Sequence, residues 1–217
     1  MKKIFALVLL LVMVLSISTA CNDEAPEPDD GKTPNTDDTE HTDDEQKENA
    51  GGENAPAANP VSDFEYRVEG DSVTITAYIG TRTDVVIPLK IDDMPVTKIG
   101  NGAFLSDQRV ISVRLPNTIA CIGNGAFEAC ASLQSIIFPE GLIKIGSRAF
   151  AECTALKNVI IPSTVQEWGF EAFCGAGIEN LTLSEGLTTI GETAFGATKI
   201  HHLVLPDSMR ILESQAF

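Results

Sequence analysis

The sequence predicts a mainly β solenoid of stacked 22–23-residue units, closed on its N-terminal side by a β-hairpin. Three observations carry that expectation. One short phrase returns six times: IGNGAF at 99 and 122, IGSRAF at 145, WGFEAF at 168, IGETAF at 190 and LESQAF at 212. A second phrase keeps step with it, an apolar alternation ending in proline, as in Val113, Leu115, Pro116 and Val159, Ile161, Pro162; Ser184 replaces the proline once. Within that phrase the residues are β-branched or apolar and alternate in the period of a strand, which the proline then ends. A single unit leaves apolar surface on both flanks and is stable only when stacked, so the period implies a solenoid.

The chain opens differently. Lys2 and Lys3 precede an apolar run from Ile4 to Ile17, followed by small residues up to Ala20. That order is a secretory signal, and the run is too short for the roughly 20 residues of a membrane-spanning helix. Residues 1–20 therefore read as a signal peptide. The cysteine that follows, Cys21, makes the segment resemble a bacterial lipobox, although Ser18 stands where Leu is usual. The resemblance implies lipid attachment at Cys21, and two or more acyl chains anchor stably where one does not. Residues 22–60 hold thirteen acidic side chains against two lysines, a net charge of −11. With so little apolar surface to bury, residues 21–60 read as a disordered, self-repelling spacer behind the anchor.

Residues 61–84 read as a β-hairpin cap, because Phe64–Val68 and Val73–Tyr78 alternate around Glu69, Gly70, Asp71 and Ser72. Residues 85–217 carry the repeats, with a stretched interval between Pro88 and Pro116 where Met94 and Pro95 sit. In each unit a second apolar pair follows the strand, such as Ile119 with Ile122 or Val165 with Trp168, before a Gly turn and the Ala-Phe step. These phrases resemble the BspA-type leucine-rich repeat of bacterial surface proteins, with its L-x-x-[VI]-x-[LIF]-P and I-G-x-x-A-F-x-x-C patterns. The resemblance implies a leucine-rich-repeat-like solenoid with a parallel strand ladder on one face. It also implies surface display and macromolecular binding. The stop at Phe217 in mid-unit suggests truncation, and an uncovered last coil would favour self-association.

Residues that could carry chemistry are few. Cys130 and Cys153 occupy one position of the repeat, and stacking sets them about 4.8 Å apart, within reach of a disulfide, although close packing of the turn accounts for both. Cys121 and Cys174 fall at other positions and join no spaced metal cluster. His201 and His202 are adjacent strand residues, expected on opposite faces. No phosphate loop, zinc-binding His pair or Ser elbow appears, so no catalytic residue, metal or cofactor is expected. The Phe column, Phe104, Phe127, Phe150, Phe173, Phe195 and Phe217, reads as stacked core, and Trp168 as a core position.

Strand alternation assigns the outward rows. One row is Val86, Arg114, Ile137, Ile160, Thr182 and Val204, and the row beside it is Asp84, Ser112, Ser135, Asn158, Asn180 and His202. At strand spacing they form an apolar stripe of roughly 24 Å beside a polar one. Such a stripe is the signature of a partner site, with Ile137 and Ile160 as anchors and Asn158 and Asn180 flanking them. The fold's net charge of −7 argues against nucleic acid or anionic lipid as partner. The expected function is that of a lipid-anchored cell-surface binding or adhesion protein, recognising an extracellular or host protein and touching the membrane through its lipid alone. A self-associating surface scaffold and a glycan-capture lipoprotein are the alternatives.

Overall fold

The computed structural model describes residues 57–217, which wind into one mainly β solenoid. It opens with an antiparallel hairpin of β1 (Phe64–Glu69) and β2 (Ser72–Tyr78), turned at Gly70 with φ of 61°, where the expected cap lies. Three strands begin the first coil: β3 (Asp84–Val86), β4 (Lys90–Ile91) and β5 (Met94–Ile99). The stretched interval between Pro88 and Pro116 is the β4–β5 antiparallel hairpin, whose Asp92 and Asp93 are both left-handed, at φ of 50° and 63°. Left-handed backbone at both central residues is the geometry that matches the twist of a two-residue hairpin, and Asp tolerates it better than most residues.

Each later coil contributes a strand from the proline phrase and a shorter one from the I-G phrase. The first kind are β6 (Ser112–Arg114), β8 (Ser135–Ile137), β10 (Asn158–Ile161) and β12 (Asn180–Leu183). The second kind are β7 (Cys121–Ile122), β9 (Lys144–Ile145), β11 (Glu167–Trp168), β13 (Thr189–Ile190) and β14 (Ile211–Leu212). The coil thus builds two parallel ladders where the resemblance implied one, because the I-G pair is long enough to bond sideways to its neighbours. The first ladder runs β3-β6-β8 and then β10-β12; the second runs β2-β5-β7-β9-β11, with β1 antiparallel on its β2 edge, and then β13-β14.

A third set of rungs lies in the turns. The N–H of Phe104, Phe127, Phe150, Phe173 and Phe195 donates to the carbonyl of the Ala before the next coil's Phe, at 2.7–2.8 Å. To aim that segment along the stack, the residue two before each Phe is left-handed, with φ from 51° to 64° at Gly102, Gly125, Arg148, Glu171, Thr193 and Gln215. Glycine meets this demand without strain in the first two repeats, whereas Thr193 adopts it against the usual limits of a β-branched residue. The Phe rings then stack face to face, continuous with Tyr78 of the cap, with centroids 4.7–5.6 Å apart and planes within 19°. Phe127, Phe150, Phe173 and Phe195 have no solvent exposure.

Both ladders are interrupted, and an oversized residue stands at each interruption. No strand pairing joins β8 to β10 or β11 to β13. Phe138 occupies the inward position held in other coils by Leu115, Ile161 and Leu183, and meets Phe150 and Phe173 edge-on at 5.4 and 6.3 Å. Trp168 occupies the position of Ile122, Ile145 and Ile190, and meets Phe195 edge-on at 5.9 Å. Extra volume in a close-packed stack is relieved by backbone displacement, here by parting the next coil. Trp168 was expected in the core; it packs against the core but stays partly exposed, and its indole N–H is buried without an acceptor.

The open edge of β3 is satisfied by Asn59. Its backbone N–H donates to the Val86 carbonyl at 2.9 Å, and its side-chain oxygen accepts from the Val86 N–H at 2.8 Å. One buried side chain thereby stands in for a neighbouring strand, closing polar groups that would otherwise template association. The signal peptide, Cys21 and the acidic spacer up to residue 56 lie outside the described residues.

Candidate binding face

The outward side of the first ladder is built by alternation alone. In β8, β10 and β12 the residues run exposed, buried, exposed, so Ile136, Val159 and Leu181 enter the core while their neighbours face solvent. Parallel pairing then sets like residues side by side: Asp84 beside Ser112 beside Ser135, and Val86 beside Arg114 beside Ile137. Beyond the interruption Asn158 pairs with Asn180 and Ile160 with Thr182, while Asn180 bridges to His202. Ile137, Ile160 and Val204 are 58%, 63% and 68% exposed, and Arg114 and Thr182 are exposed with them. Val86, at the start of the row, is half-buried.

The polar row is partly tied up internally. The Asn180 amide donates to the Asn158 side-chain oxygen at 2.8 Å, and the Ser112 hydroxyl donates to Asp84 at 2.5 Å. On one rim Lys157 pairs with Glu179 at 3.0 Å, and its hydrogen bond holds the Glu179 carboxyl below the usual range. Near β3 the face sinks into a shallow depression lined by Arg82, Asp84, Ser112, Arg114, Ser135 and Ile137. Arg82 was not singled out in the sequence, because it precedes the first repeat and no period points to it.

Cys130 and Cys153 are buried free thiols that donate to the carbonyls of Phe104 and Phe127 at 2.9 and 3.1 Å, the packing alternative rather than the bonded one. Burial pushes the Cys130 thiol up to about 12 and the Cys153 thiol up as well. His201 and His202 were expected on opposite faces, yet both are exposed and border one hollow with Ile200 and Leu203. Strand alternation does not govern them, because His202 sits in an isolated bridge and not in a regular strand. Among the described residues no group of His, Cys, Asp or Glu could hold a metal ion. On the turn side Arg148, half-buried, bridges Glu128 at 2.8 Å and Glu171, tying three successive coils together.

The description of the BspA type Leucine rich repeat region matches residues 97–217 in six copies. No curated protein matches the chain. A leucine-rich repeat protein of T. pallidum is 25% identical with a TM-score of 0.55, over 72% of this chain and 86% of its own. One from Bacteroides ovatus ATCC 8483 is 32% identical with a TM-score of 0.58, over 68% of this chain and 41% of its own length. One from Bacteroides capillosus ATCC 29799 is 27% identical with a TM-score of 0.52, over 59% of this chain and 99% of its own.

Proposed function

The chain belongs to the BspA-type leucine-rich repeat family, and on that premise we propose that it is an exported, lipid-anchored binding protein that docks a protein partner on its first ladder. The observation that carries this reading is the exposure of Ile137 and Ile160 on strands β8 and β10, with Val204 exposed at the same repeat position in the last coil. Three large β-branched side chains in one row, rimmed by Ser135, Asn158 and Asn180, are costly to leave in water and favourable to cover. The backbones of Ile137 and Ile160 are held by ladder bonds within β8 and β10, so little ordering entropy opposes a partner there.

A protein partner suits the rows better than a glycan. Neither row contains Phe, Tyr or Trp, and sugar rings are gripped mainly by the exposed faces of those side chains. The export signal and Cys21 support display at the cell surface, with the acidic spacer holding the solenoid off the membrane.

The test is capture of extracellular matrix proteins by the full chain, comparing wild type with a variant carrying Ile137→Lys and Ile160→Lys. Both side chains already face solvent, so the variant should melt like wild type and lose capture. Capture by the folded variant at wild-type strength would place the partner elsewhere.

A further inference from the structure

The depression beside β3 brings two arginines together on an otherwise acidic molecule. Arg82 and Arg114 both line it, together with Ser112, Ser135, Val86 and Ile137. Arg82 comes no closer than 3.8 Å to an Asp63 carboxylate, with 61% of its side chain exposed. Among the described residues the Arg114 guanidinium has no ion pair and no hydrogen bond. It nonetheless stands in the apolar row, paired across the ladder with Val86 on one side and Ile137 on the other. A guanidinium placed between two apolar neighbours loses hydration when a partner covers them, and a partner anion compensates that loss most strongly.

We infer that this depression receives a single carboxylate, an Asp or Glu carried between apolar side chains of the protein partner, with Arg114 as its main counter-charge and Arg82 as the second. The inference rests on the proposed docking face and specifies the chemistry of its occupant. The apolar flanks favour a carboxylate on a polypeptide over a free small acid. Asp84 lines the same depression with its own negative charge, which repels a doubly charged phosphate more than a carboxylate. Asp84 accepts a hydrogen bond from the Ser112 hydroxyl at 2.5 Å, and its single charge offsets one of the two arginines, leaving the balance that one carboxylate would neutralise. The acidity of the whole chain, formally −16, repels acidic partners in general. The depression therefore selects an isolated carboxylate in an apolar setting and not an acidic run.

The test titrates the isotope-labelled full chain, observed by NMR, with blocked peptides of sequence Gly-Leu-Asp-Leu-Gly and Gly-Leu-Asn-Leu-Gly, and with the phosphoserine counterpart. The Asp peptide should shift the amides of Ser112 to Arg114 and bind about tenfold more tightly than the Asn peptide, as a charge-assisted contact does. Arg114→Gln should erase that tenfold preference, and Arg114→Lys should keep part of it, since charge survives without the bidentate fork. Ile137→Ser should weaken the Asp and Asn peptides equally. Equal binding of Asp and Asn peptides that still depends on Ile137 overturns the carboxylate and leaves the docking face standing. Asp-peptide binding that depends on Arg114 but not on Ile137 overturns the docking face instead. Tighter binding of the phosphoserine peptide assigns the depression to phosphate, and no shift with any peptide overturns both readings.

Discussion

Phe150 shows how much one residue carries in a one-dimensional fold. Its ring has no exposure and stacks on Phe127 at 5.1 Å and Phe173 at 4.9 Å, so its loss opens a cavity shared by three coils. Phe150→Ala should cost about 3–5 kcal/mol, read as a fall in denaturant midpoint at unchanged slope. A midpoint within error of wild type would remove the ring from the core. The thiols provide a second residue-level test. Burial favours the neutral form of Cys130 and Cys153, and the thiolate is the reactive species, so both should resist iodoacetamide at pH 8 in the folded chain. Cys174, partly exposed, should react ahead of both. The linkage runs in one direction: with the folded thiol raised, stability is fully present below the ordinary thiol pKa near 8.5 and declines as pH rises past it towards 12. Prompt native-state alkylation of Cys130 would contradict its burial.

At the scale of elements the ladder interruptions are the points of weakness. Stability in a stacked array is a sum of units and interfaces, and the interfaces between β8 and β10 and between β11 and β13 lack strand bonds. Phe138→Leu and Trp168→Ile restore the residue types that their positions hold in other coils, and Trp168→Ile also removes a buried indole N–H with no acceptor. Each substitution should let its ladder close, slowing hydrogen exchange at Asn158 and Ile160 for the first and at Thr189 and Gly191 for the second. Exchange unchanged in both variants would mean that bulk is not what parts the coils. The first interruption falls between Ile137 and Ile160, the two isoleucines of the proposed anchor, so their separation is set by Phe138 behind them.

For the molecule as a whole the charge is divided by region. Of the formal −16, the segment from 22 to 60 carries −11, so most of the acidity lies in one stretch of the sequence. Attachment through Cys21 would place that segment between membrane and solenoid. The expected outcome is partition of the exported wild-type chain into the detergent phase and of a Cys21→Ser variant into the aqueous phase. Equal partition of the two would refute the lipid anchor.

Much of this architecture is legible in the residues because the solenoid repeats a local rule. The interval of the IGNGAF phrase determines the coils and the Phe column, and alternation around Val113, Ile136 and Val159 determines which side chains face out. Those features depend on spacing within one unit, and spacing is written in the chain. The rest depends on what one coil does to the next. Phe138 and Trp168 look like tolerable apolar replacements until stacking makes their volume part a ladder. Arg148 and Thr193 give no sign of a left-handed backbone until the turn must turn its N–H groups along the stack. Arg82 and Arg114 are 32 positions apart and belong to no common phrase, and only the return of the chain to the same face brings both to one depression. Asn59 looks like the end of a polar linker, and becomes an edge cap because β3 has no preceding strand to bond. A repeat specifies its own geometry, but the consequences of departing from it appear in the neighbouring coil, more than twenty residues away, where only tertiary packing decides them.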